Sequence, residues 1–327
     1  MKKRILSGLQ PTGDPHLGNY FGAIKQQIEL QDEGDAFYFI ADFHALTSVR
    51  NADALRDGVR KVAATYLALG LDPDKATFFR QSDVPEVQEL TFMLECTTGM
   101  GVLQRAHSYK DKVANGLTPN VGLFCYPALM AADILIYKSN LVPVGQDQVQ
   151  HIEICKDMAQ SFNAAFNTDV LILPDYRLSE TPKVPGTDGR KMSKSYNNTI
   201  PIFAEGKELR RSVMGIVTDS KDPRKDPLDP TSCNAYAIYE LLVDTHESVY
   251  LADRYRRAPE SGFPGYGLTK ELILHAMEEY FGPRRAEYKR LLAPESELDD
   301  ILREGGKKAR TEAQKTLEAC RRAVGLR

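Results

Sequence analysis

The chain has 327 residues, 42% of them apolar, with 42 Lys and Arg against 45 Asp and Glu and a formal net charge of −3. That balance excludes a disordered or fibrous chain, and it excludes a nucleic-acid binder that works through its overall field; any contact with RNA must use a local cationic patch. Cys96, Cys125, Cys155, Cys233 and Cys320 show no Cys-x-x-Cys spacing and their odd number fits a reduced compartment, while the histidines form no ligand set, so no protein-held metal is expected.

Met1-Lys2-Lys3-Arg4-Ile5-Leu6 lacks both an apolar core and a small-residue cleavage site, and no run of about 18 apolar residues follows, so a cytoplasmic chain without a membrane span is expected. Short apolar runs at 5–9, 36–41, 76–79 and 141–144 read as strands, and helical patterns separate them. This alternation predicts an α/β fold, a Rossmann-like doubly wound parallel sheet with ligands at the carboxyl ends of its strands. From about residue 205 the pattern is helical, with apolar spacing of three to four over 235–243, 270–280 and 295–324. The expected division is a catalytic domain over 1–200 and an all-helical domain over 201–327, whose last helix concentrates positive charge from Lys307 to Arg322.

The first strand runs into Ser7-Gly8-Leu9-Gln10-Pro11-Thr12-Gly13-Asp14-Pro15-His16-Leu17-Gly18-Asn19-Tyr20, which opens a helix through Ile24 and Ile28. The glycines allow close backbone approach, the helix N-terminus favours an anion, and Gln10, Thr12, His16 and Asn19 add donors. A turn that only shapes the backbone would look much the same. Far downstream, Val184-Pro185-Gly186-Thr187-Asp188-Gly189-Arg190-Lys191-Met192-Ser193-Lys194-Ser195 forms a glycine-flanked loop with two lysines. Lys191 and Lys194 can set two ammonium groups on a polyphosphate, Ser193 and Ser195 can bond phosphate or pin the loop, and the glycines would let it close.

His16-Leu17-Gly18-Asn19 resembles the His-x-Gly-His signature of the class I aminoacyl-tRNA synthetases, and Lys191 to Ser195 matches their Lys-Met-Ser-Lys-Ser signature without a substitution. Asn19 in place of the last His, behind Gly8-Leu9-Gln10-Pro11-Thr12-Gly13, is similar to the tryptophanyl branch. The resemblance implies ATP, brought with Mg2+, as co-substrate. It implies that Gln10, Pro11, Thr12, Gly18, Asn19, Gly145, Gln146, Asp147, Val184, Lys191, Met192, Ser193, Lys194 and Ser195 bind it, and that Gln10, His16, Asn19, Lys191, Ser193 and Lys194 act in catalysis. Lys110 matches a family lysine that reaches pyrophosphate. Gln146 stands where the family has glutamate.

The amino acid is read from 126–137, an apolar helical stretch in which Tyr126, Met130, Asp133 and Tyr137 share one face. A charge at Asp133 in such a wall needs a donor, which is either a ligand N–H or an internal partner such as a tyrosine hydroxyl. From the residues alone, tryptophan and tyrosine both remain open as that ligand. The stretch 130–135, followed by Leu141-Val142-Pro143-Val144-Gly145-Gln146-Asp147-Gln148 and His151, resembles the tryptophanyl family. By that likeness Asp133, lacking an internal mate, takes the indole N–H, Tyr126 and Gln148 bind the amino group, and Leu6, Gly8, His44, Met130, Val142 and Val144 surround the ring. Asp147 with Gln150 also fits a capping box.

The resemblance implies a tryptophan–tRNA ligase acting as a homodimer on L-tryptophan, ATP and tRNA(Trp), with neither membrane nor DNA as partner. The helical domain is expected to read the anticodon, in part through basic residues of the last helix. Alternatives are a tyrosyl enzyme, a non-charging RNA-binding relative, which should have lost a loop lysine, and a small-molecule nucleotidylyltransferase, which would need neither the loop nor the helical domain.

Overall fold

Among the described residues there are five strands, β1 Arg4–Leu9, β2 Asp35–Ile40, β3 Ala76–Arg80 and β4 Leu141–Val144, each a short run rich in apolar residues, and β5 Asp175–Leu178. In this computed structural model, which describes residues 3–106, 120–178 and 183–326 and only the backbone of Asp147, they pair in parallel in the order β3-β2-β1-β4-β5. Residues 36 to 40 of β2 are all buried, as expected for a parallel strand covered on both faces. The strand order reverses between β1 and β4, where Ile5 pairs with Leu141; such a reversal opens a crevice at the carboxyl ends, here the turns after Leu9 and Val144. The fifth strand was not expected from the sequence: Asp-Tyr-Arg-Leu is a short, part-exposed edge without an apolar run.

The chain forms two compact units, one of Met1–Gly13, Gln26–Ser179 and Leu291–Arg327, the other of Asp14–Lys25 and Glu180–Arg290. The expected boundary at 200 is therefore corrected at both ends: the phosphate-type turn from Asp14 onward leaves the sheet unit, and the last helix, Leu298–Ala323, joins it. The physical reason lies at the sheet edge, because β3 has a strand on one side only and an open edge needs cover. The helix packs on β3 and sends Ala309, Ala313, Leu317 and Cys320 into the same core as Phe79, Leu90 and Leu135. Gly305 and Gly306 allow the approach, since a Cβ at Gly305 would stand 1.8 Å from the Phe78 carbonyl oxygen and one at Gly306 2.7 Å from Asp83 Cβ. Several of its charges are engaged. Arg310 bonds Glu86 at 2.6 Å, Arg321 bonds Glu89, and Asp299 accepts from Arg60 and Arg80.

In the second unit the motif helix begins at Leu17, passes through a π-turn at Tyr20–Ile24 and continues as Lys25–Leu30. Leu17 N–H donates to the Ile200 carbonyl at 3.1 Å, and Tyr20 packs edge-on against Tyr280 and Phe281 of the helix Tyr266–Leu292. No helix among the described residues is long and apolar enough to cross a membrane.

Gly305→Ala should lower the urea midpoint by an amount equivalent to roughly 3 kcal/mol, because the added methyl meets backbone rather than a yielding side chain. Gly267→Ala, where nothing lies within 4 Å, should leave the midpoint level or raise it slightly. Equal midpoints for the two variants would contradict a close seat of the last helix on β3.

Candidate functional site

In the sheet unit, four strand ends carry the polar residues. Gln10, Pro11 and Thr12 follow β1, and Thr12 N–H donates to the Gln10 carbonyl at 2.9 Å. Asp42 to His44 follow β2, Gln81 follows β3, and Gly145 to Gln148 follow β4. Gly8 is glycine for a steric reason, because a Cβ there would come within 2.5 Å of the Phe39 ring. Leu6, Val142 and Val144 are buried in the hydrophobic core, with Met130 packed against it. The turn Gln146–Gln148 leads into the helix Val149–Ala165, whose N-cap is Gln148 rather than the expected Asp147. The side chain of Asp147, and all of Lys110, lie outside the described residues.

Asp133 sits inside the helix Val121–Ile136 and is 2% exposed. The expectation that it lacks an internal mate is corrected. Gln81 Nε2 donates to Asp133 Oδ1 at 2.9 Å and to Oδ2 at 2.8 Å, and His44 Nε2 lies 3.0 Å from Oδ2. The partner is thus an amide and an imidazole, not a tyrosine hydroxyl. Burial raises the Asp133 carboxyl above the ordinary carboxylate range, and the hydrogen bonds from His44 and Gln81 oppose that rise. His44 also meets Tyr126 edge-on, with ring centroids 6.1 Å apart, and Tyr126 Oη lies 2.6 Å from His151 Nε2. A buried polar chain of Gln81, Asp133, His44, Tyr126 and His151 results.

The second unit brings the two phosphate-type signatures together. Gly18 N–H donates to Met192 Sδ at 3.3 Å, and a Cβ at Gly18 would stand 3.0 Å from the His16 ring and 3.2 Å from Met192 Cβ. Asn19 Oδ1 accepts from His16 N–H at 3.1 Å, so the asparagine that departs from the general signature caps its own helix. Val184 is buried and its carbonyl accepts from Met192 N–H at 2.9 Å, Ser193 Oγ accepts from Ser195 N–H at 3.3 Å, and Lys194 opens a short 3-10 turn. Lys191 is exposed and Lys194 half-buried.

Asn198, for which no role was expected, is the keystone of this loop. It is 1% exposed; its Oδ1 accepts from Ser193 N–H at 2.8 Å, and its Nδ2 donates to Asp188 Oδ1 at 2.7 Å and to the Lys191 carbonyl at 3.2 Å. A Cβ at Gly186 would lie 2.2 Å from that same amide, and Gly189 has φ of +84° beside Asn234. The two glycines therefore serve close packing and a left-handed turn, where flexibility was expected. Among the described residues no cluster of three or more His, Cys, Asp and Glu could hold a metal.

The description "tRNA synthetases class I (W and Y)" matches residues 1–263. The chain belongs to that family. A tryptophan–tRNA ligase of Rhodopirellula baltica is 53% identical over 99% of this chain and 100% of its own length, and one of Campylobacter jejuni is 46% identical over 99% and 100%. A solved tryptophanyl-tRNA synthetase of Campylobacter jejuni, complexed with ADP and tryptophan, superposes with a TM-score of 0.90 at 46% identity, covering 98% of this chain and 99% of that one.

Two features of this synthetase, the Gln81 amide and the Asn198 amide, carry no motif signal. Gln81 was findable only as a polar residue at a strand's carboxyl end, and Asn198 as a neighbour of the second signature. His16, by contrast, was expected as a site residue, and its environment sets its charge. It is 5% exposed, with no partner on Nδ1 among the described residues. Burial first, then the Lys194 charge, depress its pKa from 6.5 to about 4. The neutral ring is the form present at physiological pH. Because the folded value is depressed, its contribution to stability is complete above pH 6.5 and is lost as pH falls through about 4. The His16 ring resonance should titrate near 4 in the folded protein; a midpoint near 6.5 would refute the dry environment.

Proposed function

We propose that this chain is a tryptophan–tRNA ligase, which forms tryptophanyl-adenylate and pyrophosphate from L-tryptophan and ATP and passes the tryptophan to the terminal adenosine of tRNA(Trp). The observation that carries this reading is Asp133, a buried carboxylate held as an acceptor, whose Oδ1 takes a single hydrogen bond among the described residues. An indole N–H would fill the open direction, whereas phenylalanine would leave it unfilled. Tyrosine could also donate, but the tyrosyl structure of Archaeoglobus fulgidus is only 20% identical, with a TM-score of 0.64. Full-length tryptophan–tRNA ligases at 46% to 53% identity favour the indole.

On this reading Leu6, Gly8, His44, Met130, Val142 and Val144 surround the ring, and Tyr126 with Gln148 takes the amino group. The burial of Leu6, Val142 and Val144 supports a water-poor ring site. Gln10, Pro11, Thr12, Gly145, Gln146 and Asp147 bind the nucleoside part of ATP. His16, Gly18, Asn19, Val184, Met192 and Ser195 shape the phosphate region, where Lys191, Ser193 and Lys194 act on the triphosphate, with Lys110 as a further cation. ATP comes as its magnesium complex. The tryptophan carboxylate attacks the α-phosphorus, the bond to the β-phosphate oxygen breaks, and the lysines stabilise charge on the leaving pyrophosphate. No side-chain nucleophile is needed.

The anticodon reading moves from the last helix to the second unit. Arg310 and Arg321 of the last helix are held by Glu86 and Glu89. Lys221 and Arg256 of the second unit are exposed, which suits a phosphate backbone. A homodimer is supported by exposed apolar residues of the sheet unit, Leu46, Phe92, Met100 and Val121. A cleft of about 340 Å³ lined by Phe43, Leu46, Thr91, Cys125, Tyr126 and Leu129 adds to this face. The cytoplasm is the compartment proposed.

Pyrophosphate exchange should depend on tryptophan and be negligible with tyrosine; exchange driven equally by tyrosine would sink the reading. Lys194→Ala should lower the exchange kcat by about 100- to 1000-fold. Tryptophan affinity should stay level, read from the ligand's own fluorescence in a protein that contains no Trp. An unchanged kcat would remove Lys194 from the chemistry.

A further inference from the structure

We infer that Gln81 is the positioning residue for substrate choice: its amide fixes Asp133 as an oriented, acceptor-only carboxylate, and through it sets discrimination for a ring that bears an N–H. This rests on the proposed indole contact of Asp133 and extends it to a residue that carries no family signature.

Gln81 is 1% exposed, so every polar atom of its amide must find a partner within the protein. Its Oε1 accepts from Phe43 N–H at 3.1 Å and from His44 N–H at 3.4 Å. Backbone N–H groups only donate, which fixes which end of the amide is oxygen; flipping it would set NH2 against two N–H groups and oxygen against a carboxylate. The Nε2 end therefore faces Asp133 and donates to both carboxyl oxygens, at 2.9 and 2.8 Å. Both oxygens act as acceptors. With Asp133 ionised, His44 Nε2, 3.0 Å from Oδ2, donates as well.

Among the described residues this accounting gives Oδ2 two donors and Oδ1 one. A carboxylate has about four acceptor positions, so one direction on Oδ1 remains. The amide bridges both oxygens and so fixes the rotation of the carboxylate plane, and with it the direction of that last lone pair. Gln81 is anchored to the same backbone, Phe43–His44, that carries the other donor. The β2 and β3 ends thus act on Asp133 together. Without the amide, Asp133 keeps His44 alone and is free to turn both oxygens towards it.

The test compares kcat/KM in pyrophosphate exchange for tryptophan and for its benzothiophene analogue, in which ring sulfur replaces the N–H. The unmodified enzyme should prefer tryptophan strongly. Gln81→Met, similar in length but without donors, should reduce that preference about tenfold or more. The change should fall on KM for the amino acid, with KM for ATP unchanged. A merely structural role would lower yield and thermal midpoint and leave the preference ratio where it was. Should Gln81→Met fail to fold, Gln81→Asn keeps an amide but is one methylene too short to bond both the Phe43 N–H and the Asp133 carboxylate, and should lose the preference too. If the unmodified enzyme does not distinguish the two ligands, the indole contact of Asp133 is wrong; if it does and the folded variant keeps the ratio, Gln81 is not the positioning residue.

Discussion

A carboxylate at 2% exposure sets the terms for the sheet unit. An unpaired charge in such a place costs several kcal/mol, so Asp133 persists only because donors were brought to it. They come from two different strand ends, His44 after β2 and Gln81 after β3, and the parallel pairing of Ile40 with Arg80 brings those ends side by side. The sheet register is therefore part of the electrostatics. The helix that bears Asp133 can remain apolar over most of its length because its one charge is answered from the sheet.

The phosphate signatures of the second unit depend on a different kind of order. Lys191 is exposed and draws little from the packing around it, so its direction must come from the backbone. Asn198 supplies this by bonding the Lys191 carbonyl and the Ser193 N–H with the two ends of one amide. Arg190 adds to the frame through Asp188 and by lying over the Tyr196 ring at 4.3 Å. Asp188, hydrogen-bonded to Asn198 and Arg190, is held below the usual carboxylate range and stays ionised in this frame. A loop that reads as glycine-rich and pliant is held at several points.

Four strands were legible because each is a short apolar run closed by a turn, and both signatures were legible because their spacing is fixed by chemistry. The fifth strand escaped because Asp175–Leu178 has neither an apolar run nor alternation with a clear face. The last helix was recognised as a helix and assigned to the wrong unit: its three-to-four spacing reveals a buried stripe but not which surface buries it. Gly305 and Gly306 were the available hint, since two glycines inside a helix are unfavourable unless another backbone comes close. Asp133 was seen as an anomaly, but its mates lie 52 and 89 residues away in sequence, beyond any local pattern.

The same distinction explains why recognition and phosphate chemistry draw on different surroundings. Choosing one ring over another by a single N–H requires that water cannot stand in for it, so the acceptor must be buried and its other bonds made in advance. Neutralising a leaving pyrophosphate requires charge that stays ionised, which burial would oppose, so lysines serve best near solvent on a backbone that aims them. On the proposed roles, Asp133 within the core and Lys191 at the surface are each placed where their task can be done. In both cases a buried amide, Gln81 or Asn198, gives direction without adding charge. Amides suit this because they donate and accept at fixed geometry and do not titrate, so the orientation they impose is independent of pH.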